Sequence, residues 1–306
     1  MFDNIPKISV LVITYNQQDV ISRAIESLLS QKDYIYEICV SDDCSKDRTW
    51  EILQDYSGKY PGLFVLNRNE PNVGIFENIE KTWTMPTGDI VYQLSGDDAC
   101  GDGWFEKVVE IIKEKNIDFK NEQFCVYGDF KEIYPNGATI THSQSIAGKN
   151  KDILKLAIRG LVVNRGTAFS KRVLEKYQKV SKGRSYVVEC AQDRQLQLFS
   201  KVNYYIPQVG NIYYAAIGIS AHSTSHIIDE QSGEWDYLQL FLERNGVILD
   251  KKDKNFIKFR NALFTGNKFK ILYFWLKSLD INILMQELLS YKMRIIKRTP
   301  FFKGDL

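Results

Sequence analysis

The sequence predicts an α/β protein built on a mostly parallel sheet, and three observations carry that prediction. Short, continuous apolar runs rich in β-branched residues alternate with segments of helical period through the first half of the chain. The runs have no polar alternation, which marks strands covered by helices on both faces. Each run also ends in polar residues, at the strand ends where open α/β sheets bind their ligands.

ISVLVIT (8–14) is the first strand, and QDVISRAIESLLSQ after it is a helix whose Val20, Ile21, Ala24, Ile25, Leu28 and Leu29 make one buried face. EICVS (37–41) is followed by KDRTWEILQDYSGKY, LFVLN (63–67) by VGIFENIEKTWT, and DIVYQLS (89–95) by GWFEKVVEIIKEK. This alternation is typical of nucleotide-binding α/β proteins. Past Cys125, the pieces CVYGDF and KEIYPNGATITHS read as antiparallel strands with a tight turn at Pro135–Gly137, so the sheet becomes mixed. A helix at 151–158, a strand at 161–170 and a helix from about Val188 to Ser200 follow. The polar stretch 220–225 reads as a loop that could close over something, and from Glu230 onward the pattern is almost wholly helical.

At 306 residues and 44% hydrophobic, the chain is long enough to bury a sizeable core in one large domain or one domain with an appendage. Its five cysteines include no CxxC spacing, which points to free thiols in a reducing compartment rather than a disulfide framework or zinc site. MFDNIPKISVLVITYN lacks the basic, long apolar and small-residue regions of a signal peptide. No segment approaches the roughly 20 apolar residues of a membrane span; ILYFWL (271–276) is bounded by Lys270 and Lys277. A soluble or peripheral protein is expected. From Lys251 onward there are 13 Lys and Arg against 4 Asp and Glu, leaving 27 against 34 of the totals of 40 and 38 for the rest. The C-terminal piece is thus a basic surface on an otherwise acidic protein.

The strand ends are Thr14-Tyr15-Asn16, Asp42-Asp43-Cys44-Ser45, the segment leading to Asn72-Val73-Gly74, and Ser95-Gly96-Asp97-Asp98. Two acidic pairs on one rim hold about four negative charges, which need hydrogen bonds, a ribose or a divalent cation to relieve them. Mg²⁺ or Mn²⁺, taking a few carboxylates and completed by substrate phosphates, suits that rim. An Asp-Asp pair also serves as a turn or helix cap, and Asp42-Asp43 stands where it could cap the helix beginning near Asp47.

ISVLVITYNQQDVISRAIESLLSQ, EICVSDDCSKDRTWEIL, NVGIFENIEKTWTMPTGDIVYQLSGDD and AQDRQLQLF, in this order and spacing, resemble a family 2 glycosyltransferase of the GT-A fold over about residues 6–220. The resemblance implies a Rossmann-like nucleotide-binding domain with a mixed central sheet flanked by helices, here residues 1–228, with 229–306 as a helical basic extension. It implies transfer of a sugar from a nucleoside-diphosphate sugar, a UDP-sugar above all, to an acceptor hydroxyl with inversion. Thr14, Tyr15 and Asn16 would line the base and ribose pocket, and Asp43 would accept a hydrogen bond from the base. Gly74 and Asn78 would lie beside the nucleotide. Asp97 would bind the divalent metal on the diphosphate, with Asp98 supporting it or touching the sugar. Ser95 stands where many members carry an acid; its hydroxyl can still meet a ribose or a metal-bound water.

The resemblance also assigns the general base to Asp193, in the pair Gln192-Asp193 at the start of a helix. An Arg-x-His pattern common in the family is not intact: Ala215 and Ile217 occupy those places, leaving His222 as a displaced substitute. Asn164 and Arg165 fall on the acceptor-side segment, and Trp83, Trp104 and Tyr127 are aromatic residues suited to core packing or to a sugar face. The basic amphipathic C-terminus suits an anionic membrane surface, packing on the catalytic domain or a homodimer contact, and nucleic acid is the weaker partner. These features predict a hexosyltransferase on the cytoplasmic face of the membrane, extending a capsule, lipopolysaccharide or other surface glycan on a glycan or lipid-linked acceptor. The competing expectation is a non-catalytic glycan- or nucleotide-binding descendant, suggested by Ser95 and the broken Arg-x-His.

Overall fold

The computed structural model describes residues 5–145, 165–176, 196–215, 239–240, 242–244, 246–265 and 268–278. Four strands of the first half, β1 (Ile8–Thr14), β2 (Glu37–Asp42), β3 (Phe64–Arg68) and β4 (Ile90–Ser95), pair in parallel in the order β3-β2-β1-β4. The helices between them are α1 (Ile21–Leu29), α2 (Thr49–Lys59) and α3 (Ile75–Thr82), and α4 (Trp104–Glu114) follows β4. A short β5 (Ala99–Cys100) precedes α4.

Every residue of β1 and β2 is buried, because alternate side chains enter two different cores. Val10 and Val12 of β1 pack with Ile21, Ala24, Ile25 and Leu28 of α1 and with Phe105 and Val108 of α4. Leu11 and Ile13 point the other way, to Ile79 and Trp83. Ile25 and Leu28 are fully buried, each contributing about 2 kcal/mol by leaving water. Val20 is half-buried and precedes the helix rather than belonging to its inner face.

The sheet turns mixed, as expected. β6 (Phe124–Ile133) and β8 (Thr167–Ser170) are antiparallel, and β8 pairs antiparallel with β4. β7 (Thr139–His142) folds back on β6 around a turn in which Gly137 N–H donates to Tyr134 O at 2.8 Å. A short α5 (Lys171–Leu174) follows β8. β9 (Val202–Tyr214) runs parallel to β6 and antiparallel to β5, giving nine strands among the described residues. The expected helix at 151–158, and parts of the strand expected at 161–170 and of the helix expected at 188–200, lie outside the described residues. Trp83, Trp104 and Tyr127 are all buried and belong to the core.

Near the C-terminus, α6 (Lys251–Thr265) and α7 (Lys268–Ser278) share a third apolar cluster through Phe256, Ile257, Phe259, Phe274 and Trp275, against which Leu198 packs. Among the described residues no helix is long and apolar enough to cross a membrane. Cys39, Cys44, Cys100 and Cys125 are buried free thiols. Burial pushes Cys39, Cys100 and Cys125 up to about 12, so they are inert as nucleophiles.

Candidate active site

The chain runs outward from β1 to β2 and β3, then crosses back to place β4 on the other side of β1. That reversal opens a crevice between the carboxyl ends of β1 and β4, the place where such sheets bind ligands. Thr14–Asn16 and Ser95–Asp98 are the residues on its two sides. Gly96 allows the approach: a Cβ there would lie 2.3 Å from Gln17 Oε1 and 3.1 Å from Ile13 O. Its N–H donates to Ile13 O at 2.9 Å, locking the two strand ends together.

On the β1 side, Tyr15 is exposed and Thr14 is buried, with its hydroxyl donating to Gln17 Oε1 at 2.7 Å. Asn16 takes a left-handed conformation (φ 51°), which its short polar side chain tolerates. Its Oδ1 accepts Lys46 N–H at 2.8 Å and its own N–H donates to Ser45 Oγ at 2.9 Å. Asn16 therefore joins the β1 end to the β2 end.

Neither aspartate after β2 caps α2. Asp42 accepts Ser45 N–H at 3.0 Å and the Ser45 hydroxyl, and Arg68 Nε lies 3.5 Å away. Burial pushes its carboxyl up, with Ser45 and Arg68 opposing. Asp43 accepts Val73 N–H and Gly74 N–H at 2.9 Å each, and Asn69 Nδ2 at 3.0 Å. A carboxylate has about four acceptor positions. The chain itself fills three of those of Asp43, which is buried.

Gly74 and Asn78, both expected beside a nucleotide, are held in different ways. Gly74 has φ 87°, and nothing lies within 4 Å of where a Cβ would stand, so the glycine is required by backbone conformation rather than by a close neighbour. Asn78 is buried, its Oδ1 accepting Ser41 Oγ at 2.6 Å and Asn69 Nδ2 at 2.8 Å, while its Nδ2 donates to Ser41 O at 3.1 Å. It sits behind Asp43 as a support, because an amide with its acceptor and one donor used internally is held in place. Asn69, which links Asp43 to Asn78, is a member of the site that sequence reasoning missed.

Across the crevice, Ser95 and Asp97 are half-buried and Asp98 is 4% exposed. Asp98 accepts Tyr214 N–H at 3.4 Å and lies 3.5 Å from Arg165 Nη1. Burial pushes its carboxyl up to about 7, with Arg165 opposing and the charge of Asp97 adding to the rise. Burial also pushes Asp97 up, against its own backbone N–H, Arg165 and Arg23. Arg23, on α1, donates from Nη2 to Asp97 O at 2.5 Å. Arg68, Arg165 and Arg23 oppose part of that rise, yet burial still leaves the carboxyls of Asp42, Asp97 and Asp98 pushed up. The sequence left the relief of this acidic rim to hydrogen bonds, a ribose or a divalent cation.

Among the described residues no three or more His, Cys, Asp or Glu side chains converge as a metal cluster. Asp97, at the rim, fits a hard cation that is completed by substrate phosphates and water. An all-protein cage does not fit. Ala215 is buried at the end of β9, and Arg165 reaches the same strand end by stacking on Tyr213 at 3.8 Å. Gln192, Asp193, Asn164, Ile217 and His222 lie outside the described residues.

A crevice at the switch point of a mixed sheet, with polar loops on the β1 and β2 ends and an acidic end on β4, is the place where open α/β sheets take their ligands. The model of the family described as "Glycosyl transferase family 2" matches residues 9–178, and the chain belongs to that family. Relatives include the putative glycosyltransferase EpsE of Bacillus subtilis, 28% identical over 186 residues, covering 58% of this chain and 63% of EpsE. An uncharacterized protein of Mycobacterium tuberculosis, Rv1520, is 27% identical over 131 residues, which cover 42% of this chain and 37% of that protein. The fold is shared with S. aureus TarS 1-349, solved in complex with UDP-GlcNAc: TM-score 0.58, 17% identity, 85% of this chain and 71% of that one. It is shared too with the mannosyltransferase PcManGT of Pyrobaculum calidifontis, solved with GDP-Man and Mn²⁺: TM-score 0.54, 14% identity, 95% and 81%. The fold is GT-A.

Proposed function

We propose that this protein is an inverting glycosyltransferase that moves a sugar from a nucleoside-diphosphate sugar, UDP-sugar first, to a hydroxyl of a glycan or lipid-linked acceptor in surface polysaccharide synthesis. The observation that carries the reading is the convergence, at one switch point, of the β1 end, the Asp43 loop and the half-buried carboxylate of Asp97. TarS and PcManGT, which share the fold, were solved with nucleotide sugars.

In this reading the base and ribose lie against Tyr15 and Asn16, and the remaining acceptor position of Asp43 receives a base N–H. The diphosphate lies along Ser95–Asp98. Asp193 takes the proton of the acceptor hydroxyl as its oxygen attacks the anomeric carbon. The bond from that carbon to the diphosphate oxygen breaks, and the nucleoside diphosphate leaves with the electron pair. A Mn²⁺ or Mg²⁺ ion held by Asp97 supplies Lewis-acid stabilisation of that leaving charge when bound. Gly96 keeps the strand ends close, and Asn78 and Asn69 hold Asp43 and its loop still, which is the positioning such a transfer needs.

Residues 229–306 are read as a separate helical extension that brings the catalytic domain to the inner face of the cell membrane. Support comes from the basic bias after Lys251 and from an exposed apolar stripe on α7.

The test is thermal stability against UDP, GDP, dTDP and CDP, each with and without Mn²⁺, followed by product release from the sugar donors of whichever base binds. A shift with one base, together with transfer or hydrolysis, supports the reading. No shift and no turnover with any donor leaves the non-catalytic descendant, favoured by Ser95 in place of an acid.

A further inference from the structure

Two arginines that the nucleotide-sugar reading does not use flank the acidic end of β4. Arg23 stacks on Tyr214 with its guanidinium carbon 3.4 Å from the ring centre, and Arg165 stacks on Tyr213 at 3.8 Å. The two tyrosines are consecutive in β9 and point to opposite faces of the strand. The arginines therefore grip the end of β9 from both sides, next to Asp97 and Asp98. Each is fixed by a ring face as well as by charge, so little side-chain freedom remains to be lost when a ligand arrives.

Neither guanidinium is used up by these contacts. Arg23 Nε is buried with no hydrogen-bond partner among the described residues and is not itself a ligand position; of the outer N–H groups one donates to Asp97 O, which leaves others of the five-donor fork to a ligand. Arg165 Nη1 is 3.5 Å from Asp98 Oδ2, beyond good hydrogen-bond length, and 41% of the Arg165 side chain is exposed. Glu132 also feels the Arg165 charge, but its carboxylate is engaged by the Tyr134 hydroxyl and faces His142 Nε2 at 3.3 Å. Two fixed guanidinium groups with open N–H positions, on either side of a crevice end, match the oxygens of a phosphate or diphosphate.

We infer that Arg23 and Arg165 form a diphosphate-binding pair, which holds the nucleoside diphosphate without requiring a divalent cation. This rests on the nucleotide-sugar reading and adds to it. One carboxylate at the rim gives a dication a weak hold, and the arginines supply the positive charge that the site needs.

The test is calorimetric titration of the full chain with UDP, UMP and uridine, and with the guanosine series in parallel, in EDTA and then in Mn²⁺. The wild type is expected to bind the diphosphate about tenfold or more tighter than the monophosphate in EDTA. Arg23→Gln and Arg165→Gln bring that ratio close to one while nucleoside affinity stays the same, and the Arg→Lys variants keep part of it. Tyr213→Leu, which keeps the Arg165 charge and removes its platform, lowers the ratio in the same direction. Diphosphate binding that appears only with Mn²⁺, with Gln variants matching the wild type, overturns the arginine pair and leaves the nucleotide reading standing. No binding of either series, with or without Mn²⁺, removes both.

Discussion

Gly74 donates its backbone N–H to Asp43 Oδ2 at 2.9 Å, and the bond ties the end of β2 to the loop that begins α3. Val73 N–H takes the other oxygen at 2.9 Å, so one side chain fixes two successive peptide groups. Asp43→Asn keeps the shape but turns an amide N–H₂ toward one of those donors. The expected cost is about 2 kcal/mol of stability, read in urea unfolding, with a fall in nucleotide affinity because the loop and the base acceptor are lost together. A variant as stable as the wild type would show that the loop holds without Asp43.

Asp97 differs in kind from Asp43, because the chain asks little of it. Among the described residues no side chain donates a hydrogen bond to its carboxylate, and burial pushes its proton affinity up rather than stabilising its charge. Asp97→Ala should leave the melting temperature unchanged or slightly raised. Transfer from the donor sugar should fall by about 10²–10³ in kcat/KM, the usual scale for removing a group that stabilises a leaving charge. Equal loss of stability and activity would instead mark Asp97 as a structural residue.

The first four strands and their helices were readable because each buried face repeats within a few residues: Val10 and Val12 on one side of β1, Leu11 and Ile13 on the other. The acidic end of β4 was readable for the same local reason, since two carboxylates directly after an apolar run need an explanation. Arg23 was not. In the sequence it is one more polar position on an amphipathic helix, and its partner Asp97 is 74 residues away. Asn78 read as a site residue through the family resemblance; that its amide is held by Ser41, 37 residues earlier, was not legible. Position along a strand reveals which residues reach an edge; which of them the fold then consumes depends on distant contacts that periodicity does not carry.

Glu37 provides a test by pH, away from the site. Burial alone would push its carboxyl up, yet hydrogen bonds from Ser9 Oγ, from Thr87 N–H and hydroxyl, and from Gly88 N–H bring it below the ordinary value of 4.5. The Ser9 and Thr87 N–H bonds are both 2.6 Å. With the folded value depressed, the unfolded chain binds the proton more readily. The contribution is therefore present above the ordinary value and disappears as pH falls through the lower folded value. Glu37→Gln should be about 2 kcal/mol less stable near neutral pH, and the gap to the wild type should close as unfolding is followed from pH 7 to about 3. A gap that stays constant over that range would mean the charge contributes nothing.

The last test concerns α7. Phe269, Leu272, Tyr273 and Leu276 are 88%, 54%, 51% and 47% exposed and recur at the i, i+3, i+4, i+7 spacing of one helical face. Ile271, Phe274 and Trp275 on the opposite side pack against the α6 cluster. The helix is therefore apolar on both sides, and its outer stripe is accompanied by Lys270 and Lys277, both exposed. Apolar residues entering a lipid interface beside lysines at the headgroups favour an anionic membrane surface. Phe269→Glu with Leu272→Glu should abolish sedimentation with vesicles of mixed phosphatidylglycerol and phosphatidylcholine. Wild-type binding should also weaken as salt rises, since headgroup attraction is screened. If the wild type ignores such vesicles and the same substitutions split a dimer in analytical ultracentrifugation, the stripe is a contact between two copies of the chain, because burying it against protein and burying it in lipid remove the same surface from water.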